Sequence, residues 1–312
     1  MPKILITGGA GFIGSSLADR LVQDNNNYLV ITDNLLTGSL HKLPSKDYGN
    51  WKFVKCDVNN YADISAIMLV HGFDFVFHYA AVVGVQRTLT HPVMVLNDIQ
   101  GIKNLLELSK NTGVKRVFYA SSSEVYGESV HYPQDEINTP LNSRLPYAVV
   151  KNVGEAYCRS YQQEFGLDYT LFRFFNTYGP KQSDDFVVSK FLYAALRNQD
   201  IPIHGDGSQS RTFCYVDDNI EAALTAFYEN QYVNEVINIG NSTETSILEL
   251  AQKIVHVCNS KSNLLHIPPR KEGEMNRRVP QLDRMYTLVR RPLITLEEGL
   301  TRLLQSPYFK IN

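Results

Sequence analysis

The segment Gly8-Gly9-Ala10-Gly11-Phe12-Ile13-Gly14 lies directly between an apolar, β-branched run and a run of helical period, and it leaves this chain few folds to adopt. The stretch 3–7 predicts a buried strand and the stretch 11–24 an amphipathic helix. Glycines between them let the backbone reverse tightly and bring N–H groups against a diphosphate at the helix N-terminus. An ordinary strand–helix turn would use the same glycines, so the context decides. Asp33 stands 19 residues after Gly14, at the end of a second predicted strand over 28–33, where a carboxylate can accept hydrogen bonds from both ribose hydroxyls of an adenosine. An acid there repels a 2′-phosphate and no Arg occupies positions 34–38, so NAD is expected over NADP. The expected cofactor contacts here are Gly8, Gly11, Phe12, Ile13, Gly14, Asp33 and Asn34.

The alternation continues. Strands are predicted over 51–55, 73–79, 116–121 and 168–174, with helices around 94–111 and 146–165 between them. Strands separated by helical segments imply parallel pairing through crossovers, hence an α/β fold with a doubly wound parallel sheet of about seven strands. Beyond Asn176 the rhythm loosens, punctuated by Gly179-Pro180, Gly205-Asp206-Gly207 and Pro268-Pro269. The expected division is therefore residues 1–175 for the cofactor and 176–312 for a smaller mixed α/β substrate domain, with some segments interleaved. Composition fits a folded chain: 44% of the 312 residues are hydrophobic and 20% charged, with a formal net charge of −2. That balance gives no global attraction to nucleic acid or anionic membrane. Cys56, Cys158, Cys214 and Cys258 are scattered without a CxxC pair, so neither a metal site nor a disulfide framework is expected, and a reducing, cytoplasmic compartment is. No leader-like N-terminus and no apolar run of about 18 residues is found.

Two more cofactor segments are expected at strand ends. Asp57 and Val58 follow the third strand and could meet the adenine, or form a plain loop; Ala80 and Ala81 follow the fourth, where small side chains admit either a ligand or a packed helix. The fifth strand runs into Ser121-Ser122-Ser123-Glu124-Val125-Tyr126-Gly127, placing hydroxyls and a carboxylate at the edge where doubly wound sheets bind ligands. Tyr147 and Lys151 are four apart, so phenol and ammonium share one helix face. A cation beside a phenol favours the phenolate, which can take the proton from a substrate hydroxyl while hydride leaves the same carbon for NAD.

With GGAGFIG, HYAA, SSSEVYG, YAVVK, RFFNTYGP, GDGSQSRTFCYVDD and LEEGL in this order, the chain resembles the extended short-chain dehydrogenase/reductases, the NAD-dependent nucleotide-sugar epimerase/dehydratase family. The resemblance implies a Rossmann-like domain for NAD and a C-terminal domain for a nucleoside-diphosphate sugar, which is oxidised at C4. By motif, Ser122 is the hydroxyl partner, Tyr147 the base and Lys151 the ribose-binding residue that favours the phenolate. Asn176 resembles the family's diphosphate contact, and Arg211 and Arg278 are candidate phosphate clamps, with Gln209 and Tyr215 weaker candidates.

Simple 4-epimerisation needs no second acid or base, because the ketone turns and takes hydride on its other face. Decarboxylation or dehydration needs more, and Ser123 and Glu124 could supply it. The Ser-Ser-Glu order resembles that of UDP-glucuronate decarboxylases and GDP-mannose 4,6-dehydratases, whereas Val82–Arg87 replaces the serine/proline-rich segment of those decarboxylases. Glu124 could equally cap loop amides. Asp98 stands where the family usually has Asn, and Gln281 where it usually has Asp. The leading expectation is a 4-epimerase, with decarboxylase, 4,6-dehydratase or net C4 dehydrogenase as alternatives and a non-catalytic NAD sensor as a remote one. Family members commonly pair two helices into a dimer interface, so a homodimer is expected; internal packing would use the same apolar residues.

Overall fold

A computed structural model describes residues 1–129, 131–269 and 277–310, with the side chains of Val85 and Gln86 also outside the description. The elements in chain order are β1 (Lys3–Thr7), α1 (Phe12–Leu21), β2 (Tyr28–Asp33), β3 (Trp51–Lys55), α2 (Tyr61–His71), β4 (Phe75–His78), α3 (Val85–Thr90), α4 (Pro92–Leu96), α5 (Asp98–Thr112) and β5 (Arg116–Ser122). There follow α6 (Pro146–Phe165), β6 (Asp168–Phe174), β7 (Thr177–Tyr178), α7 (Val187–Leu196), β8 (Ile201–His204), β9 (Ser210–Thr212) and β10 (Cys214–Tyr215). The chain ends with α8 (Val216–Tyr228), β11 (Glu235–Ile239), β12 (Glu244–Ser246), α9 (Ile247–Val257), β13 (Leu264–Ile267), α10 (Asp283–Leu288) and α11 (Leu296–Gln305).

The chain divides into two compact units. One comprises 1–125, 143–173 and 223–237; the other comprises 126–142, 174–222 and 238–312. The first is built on a seven-stranded sheet in the order β11-β6-β5-β4-β1-β2-β3, with every pair from β5 to β3 parallel. The strand order reverses between β1 and β4, so their C-terminal ends open the crevice where a doubly wound sheet takes its ligand.

Alternation along the strands divides the core. Phe77 and Phe118 stack at 4.4 Å on one face of the sheet and meet Phe227 of α8 edge-on at 5.7 and 5.8 Å. Leu5, Val30, Val76 and Val117 are buried with Ile64, Met68, Leu105 and Val150 from the helices α2, α5 and α6. Each such side chain contributes about 1.5–3 kcal/mol on burial, which is what fixes these helices to the sheet.

Helix α6 has the expected bounds: Pro146 occupies the first turn, where its missing N–H costs nothing, and Gly166 closes the helix in the left-handed conformation. The helix expected over 94–111 is instead two pieces, α4 and α5, interrupted at Asn97. There the backbone tightens to an i→i+3 bond, Gln100 N–H donating to Asn97 C=O at 3.0 Å. In the second unit two-stranded sheets pair β10 with β7, β12 with β9 and β13 with β8. Ser246 begins α9 with a capping box, its hydroxyl accepting from Glu249 N–H while the Glu249 carboxylate accepts from Ser246 N–H. Among the described residues no helix is long and apolar enough to cross a membrane.

Candidate functional site

The first unit holds the glycine loop between β1 and α1. Gly8 takes φ +67°, and a Cβ there would lie 2.6 Å from the Ala80 backbone, so only glycine lets the turn after β1 approach the end of β4. Helix α1 begins at Gly11 with no side-chain cap and no acidic residue in its first turn. The amides of Phe12, Ile13 and Gly14 thus keep the arrangement that receives a diphosphate. Asp33 at the end of β2 accepts from Ala10 N–H at 3.1 Å and from Leu35 N–H at 2.8 Å, one amide per carboxylate oxygen. Burial pushes its pKa up while the loop amides oppose the shift. An uncapped helix start beside a buried carboxylate fits the diphosphate and the adenosine ribose of NAD.

The other cofactor candidates line neighbouring strand ends. Asn34 Nδ2 donates to Asp57 Oδ2 at 3.3 Å, and Asp57 Oδ1 accepts from Asn59 N–H at 3.0 Å. Val58 is buried against Gly101 of α5. Ala80 N–H donates to Thr7 Oγ1 at 3.4 Å, and Ala80 and Ala81 are half-buried.

The catalytic candidates come from β5 and α6. Ser122 and Ser123 are buried, and Ser122 Oγ accepts from Glu124 N–H at 3.2 Å as the chain enters a 3₁₀ turn. Lys151 is buried, with Nζ 5.7 Å from the Tyr147 ring centroid and 5.1 Å from that of Tyr119 on β5. Burial brings its pKa down to about 8, against the pull of Asp98. A row of side chains crosses the sheet beneath it. Thr7, His78 and Tyr119 are in register; Thr7 Oγ1 and His78 Nδ1 are 2.7 Å apart, and His78 stacks on Tyr119 at 5.8 Å. Burial and the Lys151 charge drive the His78 pKa down to about 3, so this imidazole is neutral at physiological pH.

Two features of α6 escape the reading by motif. Gly154 lies where a Cβ would collide with the Tyr119 hydroxyl, so its lack of a side chain lets the helix approach β5 closely. Glu155, one turn after Lys151, is fully buried and accepts from Ser121 Oγ–H at 2.6 Å, Arg173 Nε at 2.8 Å and Arg173 Nη2 at 2.7 Å, with Arg159 Nη2 at 3.0 Å. It ties α6 to β6 and to the residue before Ser122. A lone acid on the buried face of a helix was the available signal.

In the second unit, Asn176 adopts φ +31° and donates from Nδ2 to Thr212 C=O at 3.1 Å, using one of its two amide hydrogens. Arg211 lies on β9 and donates from Nη1 to Ser210 C=O at 2.7 Å; Arg278 is buried. Glu244 accepts from Ser210 Oγ–H at 3.0 Å and from Arg277 Nε at 2.6 Å, so one carboxylate joins the neighbours of the two candidate arginines. Gln209 C=O accepts from Ile247 N–H at 2.9 Å. Tyr215 is buried against Tyr178 at 5.4 Å, with Arg302 above its ring at 5.5 Å, and burial pushes its pKa up to about 12: it packs as core.

Residues 4–240 match the profile of the NAD dependent epimerase/dehydratase family. A relative named UDP-N-acetyl-alpha-D-glucosaminuronate decarboxylase, from Bacillus cytotoxicus, is 34% identical, with 97% of each chain covered. The UDP-glucose 4-epimerase of Thermotoga maritima, solved with UDP-glucose, is similar with a TM-score of 0.91, 32% identity and 98% of each chain covered. The UDP-glucose 4-epimerase of Thermus thermophilus, solved with NAD, gives 0.89, 26% and 98% of each chain. The seven-stranded Rossmann-like sheet, the glycine turn against Ala80 and the match over most of its length place this chain in the NAD dependent epimerase/dehydratase family.

Proposed function

We propose that this enzyme oxidises a nucleoside-diphosphate sugar at C4 and returns the hydride to the opposite face, a net 4-epimerisation. The observation that carries the reading is the buried Lys151 ammonium held against the Tyr147 ring, with Ser122 at the end of the adjoining strand. Tyr147, as phenolate, takes the proton from the C4 hydroxyl; the fixed cation of Lys151 favours that phenolate, and the Ser122 hydroxyl orients the substrate oxygen. When bound, NAD supplies the hydride acceptor and donor for the same carbon. Gly8, Gly11, Phe12, Ile13, Gly14 and Asp33 would hold its diphosphate and ribose, with Asn34, Asp57, Val58, Ala80 and Ala81 around the rest. Asn176, Arg211 and Arg278 of the second unit would bind the substrate diphosphate.

A second reading, decarboxylation of a uronic-acid nucleotide, is favoured by Glu124 directly after Ser123 and by the name of the 34%-identical relative. A C4 ketone makes a C5 carboxylate a β-keto acid, so the first step is shared. Incubation with a panel of UDP-, GDP-, CDP- and dTDP-sugars, products read by mass and NMR, separates the outcomes. An unchanged mass with inverted C4 is expected; loss of carbon dioxide would replace epimerisation by decarboxylation. Tyr147→Phe is expected to abolish turnover, and full activity in that variant overturns the mechanism.

The exposed Leu89, Val93, Met94 and Leu96 of α3 and α4, with Phe165 at the end of α6, support a homodimer, which sedimentation velocity reads. Four unpaired thiols support a cytoplasmic setting.

A further inference from the structure

We propose that Tyr119 on β5 is a positioning residue for the reaction: the face of its ring seats the Lys151 ammonium and so fixes where that cation stands relative to Tyr147. The inference rests on the Tyr147–Lys151 reading above and adds a residue to it. Lys151 is 3% exposed and Tyr119 1%, so neither is placed by solvent. Lys151 Nζ lies over the Tyr119 ring at 5.1 Å from its centroid, nearer than the 5.7 Å to the Tyr147 ring. Among the described residues this Nζ has no hydrogen bond and no carboxylate at ion-pair distance; what it meets is two aromatic faces. The negative face of a ring attracts an ammonium, and more strongly where water is excluded.

The surroundings of Tyr119 fix its ring and leave its hydroxyl aside. On β4, His78 is its register partner, the two rings 5.8 Å apart and 30° from parallel. On α6, Gly154 comes one turn after Lys151, and a Cβ there would collide with the Tyr119 hydroxyl and ring. The helix therefore lies close enough to β5 for a lysine one turn earlier to reach over the ring. The Tyr119 hydroxyl is buried with no hydrogen-bond partner among the described residues. A buried phenol oxygen ordinarily finds a partner, and an unmet one costs stability. The working part of this side chain is thus its ring.

The titratable groups packed around the ring are neutral or engaged elsewhere. His78 on β4 is neutral at physiological pH. Cys158 on α6 keeps its thiol proton, its pKa pushed up by burial. Glu155 on α6 is paired with Arg173 and Arg159. Asp98 on α5 accepts from Val82 N–H at 2.6 Å and from Asn59 Nδ2 at 3.3 Å. Holding the flexible four-carbon chain of Lys151 in one place falls to the Tyr119 ring, and a cation held in one place is what favours the Tyr147 phenolate.

The test compares Tyr119→Leu, which keeps an apolar side chain and removes the ring, with Tyr119→Phe, which removes only the hydroxyl. With ¹³Cε-lysine labelling and the Lys151 signal assigned by its loss in Lys151→Arg, the wild-type ε-methylene is expected to show Overhauser contacts to the Tyr119 ring protons. In Tyr119→Leu the Lys151 titration midpoint should move down by about one pH unit, as a desolvated cation loses its aromatic face. Turnover should fall roughly 10- to 100-fold with KM little changed, the mark of a displaced group and not of lost binding. The conservative Tyr119→Phe should recover both midpoint and turnover. Absence of the wild-type Overhauser contacts overturns the proposal whether or not the leucine variant folds. So does a leucine variant that keeps the wild-type midpoint or turnover, and so does a phenylalanine variant that loses as much as leucine, since the part would then belong to the hydroxyl. The magnetic-resonance arms are read without substrate, so an enzyme that turned over no nucleotide sugar would refute the functional reading while leaving the Tyr119–Lys151 contact measurable.

Discussion

Replacing Glu155 by Gln is expected to cost this protein far more stability than its one lost charge suggests. Arg173 is 1% exposed and meets both oxygens of Glu155, while Ser121 Oγ–H and Arg159 share them. Glutamine is nearly isosteric, but its NH₂ faces the guanidinium donor to donor and its charge is gone. The buried Arg173 thereby loses the carboxylate it meets through Nε and Nη2, and breaking a buried ion pair from one side costs about 3–5 kcal/mol. Against a total stability of about 5–15 kcal/mol this is a severe loss. Arg159 gives the internal control: its side chain is 44% exposed, so Arg159→Ala should cost no more than about 1 kcal/mol. Replacing both buried partners by Met should recover most of the loss, since no unpaired charge remains. Urea unfolding followed by the fluorescence of Trp51, the single tryptophan, which lies in the same unit, reads all of this. The pH dependence gives a second reading. Glu155 has its folded pKa pulled below the ordinary 4.5, first against burial and then by the Arg173 hydrogen bonds. A depressed acid stabilises the fold above its unfolded pKa, and that stabilisation disappears as pH falls through the lower folded value. The gap between wild type and Glu155→Gln should therefore be constant near neutrality and narrow well below pH 4.5. A Glu155→Gln cost under about 1 kcal/mol at pH 7 would refute the argument.

Two further outcomes follow from the same unit. Gly154→Ala places a Cβ against the Tyr119 hydroxyl and ring, so a loss of about 1–3 kcal/mol is expected, along with reduced turnover as α6 is pushed from β5; wild-type stability in urea would contradict the packing. Asp33→Asn removes the charge proposed to meet the adenosine ribose and leaves one of the amides of Ala10 and Leu35 without its acceptor; NAD affinity by calorimetry should fall roughly 10- to 100-fold, and an unchanged affinity would remove Asp33 from the cofactor site.

Where the sequence pattern was local, its reading carried over to the structure. Helix α6 runs from Pro146 to Phe165 because a proline can start a helix and a glycine can end one, and both signals sit in the chain itself. Strand β6 follows the same logic, its apolar run bounded on both sides. The break at Asn97 was not legible: the apolar period continues across it, and the interruption belongs to how Asp98 and its neighbours meet the loop at Val82. Tyr215, a weaker candidate beside the Arg211 segment, is packed against Tyr178 and beneath Arg302, a setting that its local sequence does not disclose.

By itself the sequence determined the candidate set and its order: a glycine turn after a strand, an acid after the next strand, a serine run, and a tyrosine and lysine one helical turn apart. Those features are local, since each depends on backbone geometry spanning a few residues. Tertiary structure alone decided what holds them. Thr7, His78 and Tyr119 become one row through strand register. Ser121, Glu155 and Arg173 become one ion-paired cluster, and Asp98 at the start of α5 meets the Val82 amide of the loop after β4. No spacing rule links such residues, because parallel strands are joined by crossovers of differing length, and charges interact through space and low-dielectric packing rather than along the backbone.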